Sequence, residues 1–391
     1  MSISQRARDV AVSATGAITE RAKELAAAGH DVVSFGAGEP DFPTADHIVA
    51  AAIEAVQNPL NHKYSPAAGL PALREAVATS CVLDVSAAQV LITNGAKTAV
   101  YIAFQALIDP GDEVIIPAPY WVSYPEIIKL AGGVPVPVFA GVEQGYRVTP
   151  EQLDAAVTDR TKAILFVSPS NPTGAVYSAE ETAAIGRWAA ERGIWVVTDE
   201  IYEHFTYGVD FVSMPDVVPD LRERSIVING VSKAFSMTGW RVGWLIAPPD
   251  VAAAAIRLQS QMSTNVSNVS QRAALAALGG GIGPALMMRE AFDTRRRVMH
   301  ASLSSIGDVI CPEPQGAFYM FPDVSGLVGR VLGGAEITSS MELAAQALDQ
   351  AQVAVVPGEP FGAPGHVRFS FALSDEDLAR GLDRFVAFAQ G

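Results

Sequence analysis

A chain of 391 residues exceeds what one hydrophobic core usually organises, so a large domain with a smaller companion is expected. Its 27 Lys and Arg against 42 Asp and Glu leave a formal charge of −15, which argues against non-specific binding to nucleic acid or to anionic membranes. Cys81 and Cys311 show neither metal spacing nor a disulfide framework, and neither a signal-like apolar segment nor a run of about 18 apolar residues occurs; the expectation is an unexported cytoplasmic protein with two buried thiols.

Residues 17–28 read as a helix stopped by Gly29, and 31–35 as a short strand. The following GAGEPDFPT, with two glycines and two prolines, is a loop over 36–44 whose backbone could approach a ligand closely. A helix is expected over 46–57, then a loop carrying Tyr64, then a helix from about residue 70. Strand 89–93 runs into Asn94-Gly95-Ala96-Lys97 and a helix to 108. A glycine turn at a helix start offers free N–H groups and the positive end of the helix dipole to an anion; the P-loop pattern is absent, so a simple phosphate cup is expected.

Strand 113–116 ends in PAPYW, which sets Trp121 just beyond its carboxyl end. A helix over 124–130, a strand over 134–139 and a helix start at Thr149-Pro150-Glu151 follow. Strand 163–167 opens onto SPSNPTG with Asn171, and Ser178 with Glu181 forms a capping box for a helix closed by Gly193. The continuous apolar run 194–198 ends in Asp199-Glu200-Ile201-Tyr202, where Asp199 reads equally as a turn cap or a functional carboxylate. Strand, crossover helix and strand in repetition predict a doubly wound, mostly parallel sheet.

The apolar run 226–228 leads into NGVSKAFSMTGWRVG. Lys233 emerges at a strand's carboxyl end, where open α/β sheets bind ligands and a partly desolvated amine can act as a nucleophile. Arg241, between Gly239 and Gly243, suits a phosphate. Lysine and arginine so arranged suggest pyridoxal phosphate (PLP). Helices are expected over 250–261 and 269–278, and after GGGIGP a long helix over 288–305 carries the chain into a C-terminal part; its Arg295-Arg296-Arg297 run reads as a solvated face. The remainder alternates short strands with a helix over 340–350 and a final helix capped by Ser374 and Asp377. Arg368, inside the apolar VRFSF, needs a counter-charge from the protein or from a ligand.

This ordered set (a glycine turn at a helix start, YW, NPTG, DEIY, SKAFSMTGWR and VRFSF) resembles the class I aminotransferases of the fold-type I PLP enzymes, especially the bacterial aspartate aminotransferase subgroup, from about Gly36 to the C-terminal helix. The resemblance implies an α/β fold: a large PLP-binding domain, 46–288, with a mostly parallel sheet between helices, and a smaller α+β domain made of 1–45 and 289–391. It implies that Lys233 holds PLP covalently and moves the substrate proton, that Asp199 pairs with the ring nitrogen, and that Tyr202 and Asn171 bond the ring's phenolic oxygen. Trp121 would stack on the ring; Gly95, Ala96, Ser232 and Arg241 would take the phosphate, with Tyr64 reaching over from the neighbouring subunit of a homodimer with shared active sites. Arg368 and the Gly38 backbone would clamp the substrate α-carboxylate, and Lys97 would meet the distal carboxylate of acidic substrates.

Three features depart from the family, the first being the glycine turn, which reads Gly95-Ala96-Lys97-Thr98 where relatives often have Gly-Gly-Lys-Gln. Gly230 stands where many relatives carry a phosphate-binding serine, so that contact is missing or moved to Ser232. Ala11 and Val12 precede Ser13 where relatives that accept prephenate carry a lysine, which speaks against that activity. The expected reaction is ping-pong amino-group transfer between L-aspartate and 2-oxoglutarate. The alternatives are transfer from aromatic or other neutral amino acids, or a PLP-dependent C-S lyase on the same residues.

Overall fold

The computed structural model describes residues 3–12 and 14–391; Ser13, next to the position argued against prephenate, lies outside the described residues. Seven strands form the main sheet: β1 (Val90–Thr93), β2 (Glu113–Ala118), β3 (Val134–Phe139), β4 (Thr161–Val167), β5 (Trp195–Asp199), β6 (Ser225–Gly230) and β7 (Gly243–Ile246), in the order β1-β7-β6-β5-β4-β2-β3. β2 to β6 pair in parallel, and β7 alone in this sheet runs against its neighbours, antiparallel to both β1 and β6. β7 was not expected from the sequence, because four residues between a glycine turn and a proline give too little periodicity to read.

The central strands are apolar without alternation because helices cover both faces. Ile92, Val227 and Ile246 pack on one side against Leu73 and Ala273, while Leu91, Ile228 and Leu245 pack on the other against Val100 and Phe104. Each such fully buried aliphatic side chain is worth about 1.5–3 kcal/mol. The Ser178 capping box forms, with Ser178 N donating to Glu181 at 2.8 Å, and Gly193 ends that helix at φ 65°. These local signals place the crossovers, and so the strand ends.

The terminal segments meet on a second core. Helix α1 (Ala14–Ala27) leads to Val33–Ser34, which pairs in parallel with Val353–Ala354; the strand expected over 31–35 is this two-residue piece. Val367–Ser370 lies between Val356–Pro357 and Tyr319–Met320 in a three-stranded antiparallel sheet. Phe35, Phe292, Phe318, Phe369, Phe371 and Phe385 fill the space between it and the helices, and Tyr202 and Phe205 join them from beyond β5.

Three expectations are corrected here. Helix α2 (Gly283–Ser304) starts before residue 288, and its turn of 3.6 residues carries Arg295 and Arg296 inward with Phe292 and Met299. Arg296 pairs with Asp293 and Glu313 at 2.6 and 2.7 Å, so within the Arg295–Arg297 run only Arg297 is solvated. The cysteines are unpaired but only partly buried, since Cys81 follows the end of helix Pro71–Ser80 and Cys311 lies in an irregular stretch.

Candidate active site

The carboxyl ends of β4, β5 and β6 open on one cavity of about 490 Å³. Gly38, Ala96, Lys97, Trp121, Asn171, Asp199, Tyr202, Ser232, Lys233, Arg241 and Arg368 all line it. Segments far apart in sequence thus converge as expected of a doubly wound sheet, where the loops after parallel strands share one edge.

Lys233 follows β6, and its Nζ donates to the Gly38 carbonyl and lies 6.0 Å from the centre of the Tyr202 ring. Burial pulls its pKa down from 10.5 to about 8, with Glu39 opposing and the cations of Arg368 and Arg241 assisting. Asp199, at the end of β5, is 4 % exposed and accepts from the Tyr124 hydroxyl at 2.8 Å and from Ile201 N at 3.2 Å. Burial pushes this carboxyl up to about 6, and those two donors hold it back from rising further. The Tyr202 and Tyr319 hydroxyls bond each other at 2.8 Å.

Arg368 sits 2 % exposed over the rings of Tyr319 and Phe361, 4.5 and 5.2 Å from their centres. Its Nη1 donates to Asn171 Oδ1 at 3.0 Å and its Nη2 to the Gly36 carbonyl at 2.9 Å. Both acceptors are neutral, and its Nε is buried with no partner among the described residues. The counter-charge demanded by this strand arginine is therefore one that a ligand can supply. Lys97 lies 4.7 Å from the centre of the Trp121 ring, and burial followed by the nearby Arg241 lowers its pKa.

At the opposite end the backbone is crowded into a cup. Gly95 is the cap residue of the helix Ala96–Leu107 at φ 81°, and a side chain there would collide with the Arg241 guanidinium. A Cβ at Gly243 would run into Ala96 N, so β7 can lie against that helix start only with glycine. The Gly230 departure has the same cause: Gly230 pairs with Gly243, and a Cβ there would come within 2.9 Å of the Gly243 Cα. Ser232 lines the cavity two residues on. Tyr64, by contrast, is not among the residues that line the cavity and is 88 % exposed; Ile53, Val56 and Leu60 are exposed as well.

Sequence reading missed Tyr124, Tyr319, Glu39, and the face of α1 that brings Thr19, Glu20 and Lys23 to the cavity mouth. Tyr124 had a usable signal, since it stands one helical turn after Trp121. The polar α1 offered none. Among the described residues no helix is long and apolar enough to cross a membrane.

The family model for class I and II aminotransferases matches residues 30–385. An aspartate aminotransferase of Streptomyces avermitilis is 57% identical, covering 98% of this chain and 95% of its own length. One from Geobacillus stearothermophilus is 47% identical over 100% of this chain and 99% of its own. Among solved structures, the aspartate aminotransferase from Thermus thermophilus with maleate superposes at a TM-score of 0.93, with 40% identity, over 99% of this chain and 100% of that one.

Proposed function

The chain belongs to the class I and II aminotransferases, and on that premise we propose that it exchanges amino groups between L-aspartate and 2-oxoglutarate, giving oxaloacetate and L-glutamate, with pyridoxal 5'-phosphate as cofactor. The observation that carries the reading is the convergence on one cavity of a desolvated Lys233 amine and the buried Arg368 guanidinium, whose Nη1 and Nη2 acceptors are both neutral, the first suited to an aldehyde and the second to a carboxylate.

The residues fit the cofactor. The Gly95–Gly243 crowding leaves a cup at a helix N-terminus beside Arg241, which suits a phosphate dianion. Asp199, oriented by Tyr124, suits a protonated ring nitrogen. When bound, the cofactor supplies an electron-accepting ring that stabilises negative charge at the amino acid's α-carbon. Lys233 then takes the α-proton and returns it elsewhere, which an amine titrating near 8 does in both directions at neutral pH. Asn171 Oδ1 accepts from Arg368, so its amide N–H groups would remain for the ring's phenolic oxygen, to which the Tyr202 hydroxyl would also bond. Trp121 covers a ring face, and Ala96 N and Ser232 add donors at the phosphate. Arg368 and Gly38 grip the α-carboxylate and Lys97 the distal one, which selects aspartate and glutamate. Neutral side chains would leave Lys97 over Trp121.

We also assign Tyr64 to a partner's phosphate in a homodimer, with the exposed Ile53, Val56 and Leu60 as part of the interface. Residues 46–288 would form the large domain, with 1–45 and 289–391 the small one. The cellular setting would be the cytoplasm. The test mixes cofactor-loaded protein with single amino acids and follows the cofactor's absorbance and the 2-oxo acid formed. Fast conversion with aspartate and glutamate supports the reading. Conversion by aromatic residues alone, or release of pyruvate and ammonia, would replace it.

A further inference from the structure

The loop 36–44 is stitched to the site along its whole length. The Gly36 carbonyl accepts from Arg368 and the Gly38 carbonyl from Lys233. Glu39 accepts from Thr238 at 2.6 Å, and the Phe42 carbonyl accepts from Ser236. Thr44 Oγ1 donates to the Ser236 carbonyl at 2.7 Å and accepts from Trp240 Nε1 at 3.0 Å. One short segment therefore reads the positions of both the lysine and the carboxylate-binding arginine.

Its other side is held by a cation outside the cavity. Arg295 of α2 is 9 % exposed along its side chain, donates through Nη1 to Asp41 at 2.8 Å, and through Nε to Asp375 at 2.6 Å. Asp375 opens the C-terminal helix Asp375–Gln390. The guanidinium also lies 5.4 Å from the centre of the Phe42 ring and 5.9 Å from that of Phe292, and those two rings meet edge to face at 5.8 Å. Two carboxylates from different segments and a ring face are satisfied at once only by a planar group with separate N–H edges; an ammonium at the same point gives up the fork and the stack. Arg295 thus joins α2, the loop and the start of the last helix at one point, two residues along the loop from Glu39, which lines the cavity.

We propose that Arg295 is a positioning residue for substrate binding: through Asp41 and Phe42 it fixes the loop 36–44 against Arg368 and Lys233, and so sets carboxylate affinity while touching neither substrate nor cofactor. The inference rests on reading Arg368 as the carboxylate clamp. It predicts that loosening the knot acts on KM more than on kcat, because Arg368 is oriented by the loop's Gly36 carbonyl, whereas Lys233 is set by its own backbone just after β6 and loses only the Gly38 acceptor when the loop shifts.

The test compares Arg295→Lys and the near-isosteric Asp41→Asn with Arg297→Gln, an exposed neighbour on the same helix, all as cofactor-loaded protein. The readouts are the Kd of succinate, a non-reacting dicarboxylate, the steady-state constants for aspartate, and amide hydrogen exchange by peptide. Both knot variants should weaken succinate and raise the aspartate KM about tenfold, change kcat less than threefold, and speed exchange in the 36–44 peptide, while Arg297→Gln matches wild type. If wild type itself fails to bind succinate, the carboxylate site falls and the inference with it. If wild type binds and the knot variants bind equally well, the inference alone falls. It falls too if kcat, KM and exchange throughout the protein deteriorate together, since that describes a general packing defect.

Discussion

Replacing Lys233 by Met should change how the cofactor-free protein's stability depends on pH, in a direction that the burial of the amine dictates. The folded pKa lies at about 8 against an ordinary 10.5, a fall of about 2.5, which corresponds to about 3 kcal/mol at 1.36 kcal/mol per unit. Below pH 8 the lysine is charged in both states, and the folded protein bears the full cost of burying that charge. Between 8 and 10.5 the unfolded chain keeps a proton that the folded one has released, so the unfolded state binds more protons and stability rises with pH. In Lys233→Met the group is gone. Urea unfolding of both proteins should therefore show the difference, wild type minus variant, rising by about 2 kcal/mol between pH 7.5 and 9.5, most of the total available. Asp199, which titrates near 6, is already ionised over this range and drops out of the difference, as do the buried tyrosines common to both proteins. A flat or falling difference would mean that the amine is not desolvated, and with that its availability as a nucleophile near neutral pH would go. The variant should also lose transamination while gaining stability at pH 7, the trade expected where a strained group serves chemistry.

Arg368→Lys keeps the charge and loses the fork, so kcat/KM for aspartate should fall by roughly 10- to 150-fold, the worth of one charge-assisted bond, with cofactor affinity altered less than threefold; equal losses in both would refute its assignment to the substrate. Tyr124→Phe removes a hydroxyl that lowers the Asp199 pKa, so in cofactor-free protein that carboxyl, followed by carbon NMR, should titrate above about 6; a value at or below 6 would contradict the bond's role. Gly243→Ala should push β7 off Ala96 and weaken pyridoxal phosphate binding at least about tenfold, read by equilibrium titration with Lys233 intact. Unchanged affinity would mean that the phosphate cup lies elsewhere.

Much of this was legible in the one-dimensional pattern. Parallel strands buried on both faces must be continuous apolar runs, so β4, β5 and β6 announced themselves, and with them the positions of Asn171, Asp199 and Lys233 at their carboxyl ends. A charge inside VRFSF had to answer to some partner, which singled out Arg368 before any contact was visible. The identities of the partners were not legible. The Tyr124–Asp199 bond joins residues 75 apart, and the Tyr202–Tyr319 bond residues 117 apart, distances over which no local periodicity carries information. β7 is held because β1 and β6 each offer it an edge, while the four residues GWLI are too few to show a strand period by themselves. The Arg295–Arg297 run makes the same point, since three adjacent arginines read as one polar face until the helix turns two of them inward, Arg295 to Asp41 and Asp375 and Arg296 to Asp293 and Glu313. Local composition therefore determined the elements and the residues at their ends, because burial and backbone geometry act within a turn or a strand. Only the tertiary structure decided which of those ends face each other, because desolvation and ion pairing depend on what the folded chain brings within a few ångströms.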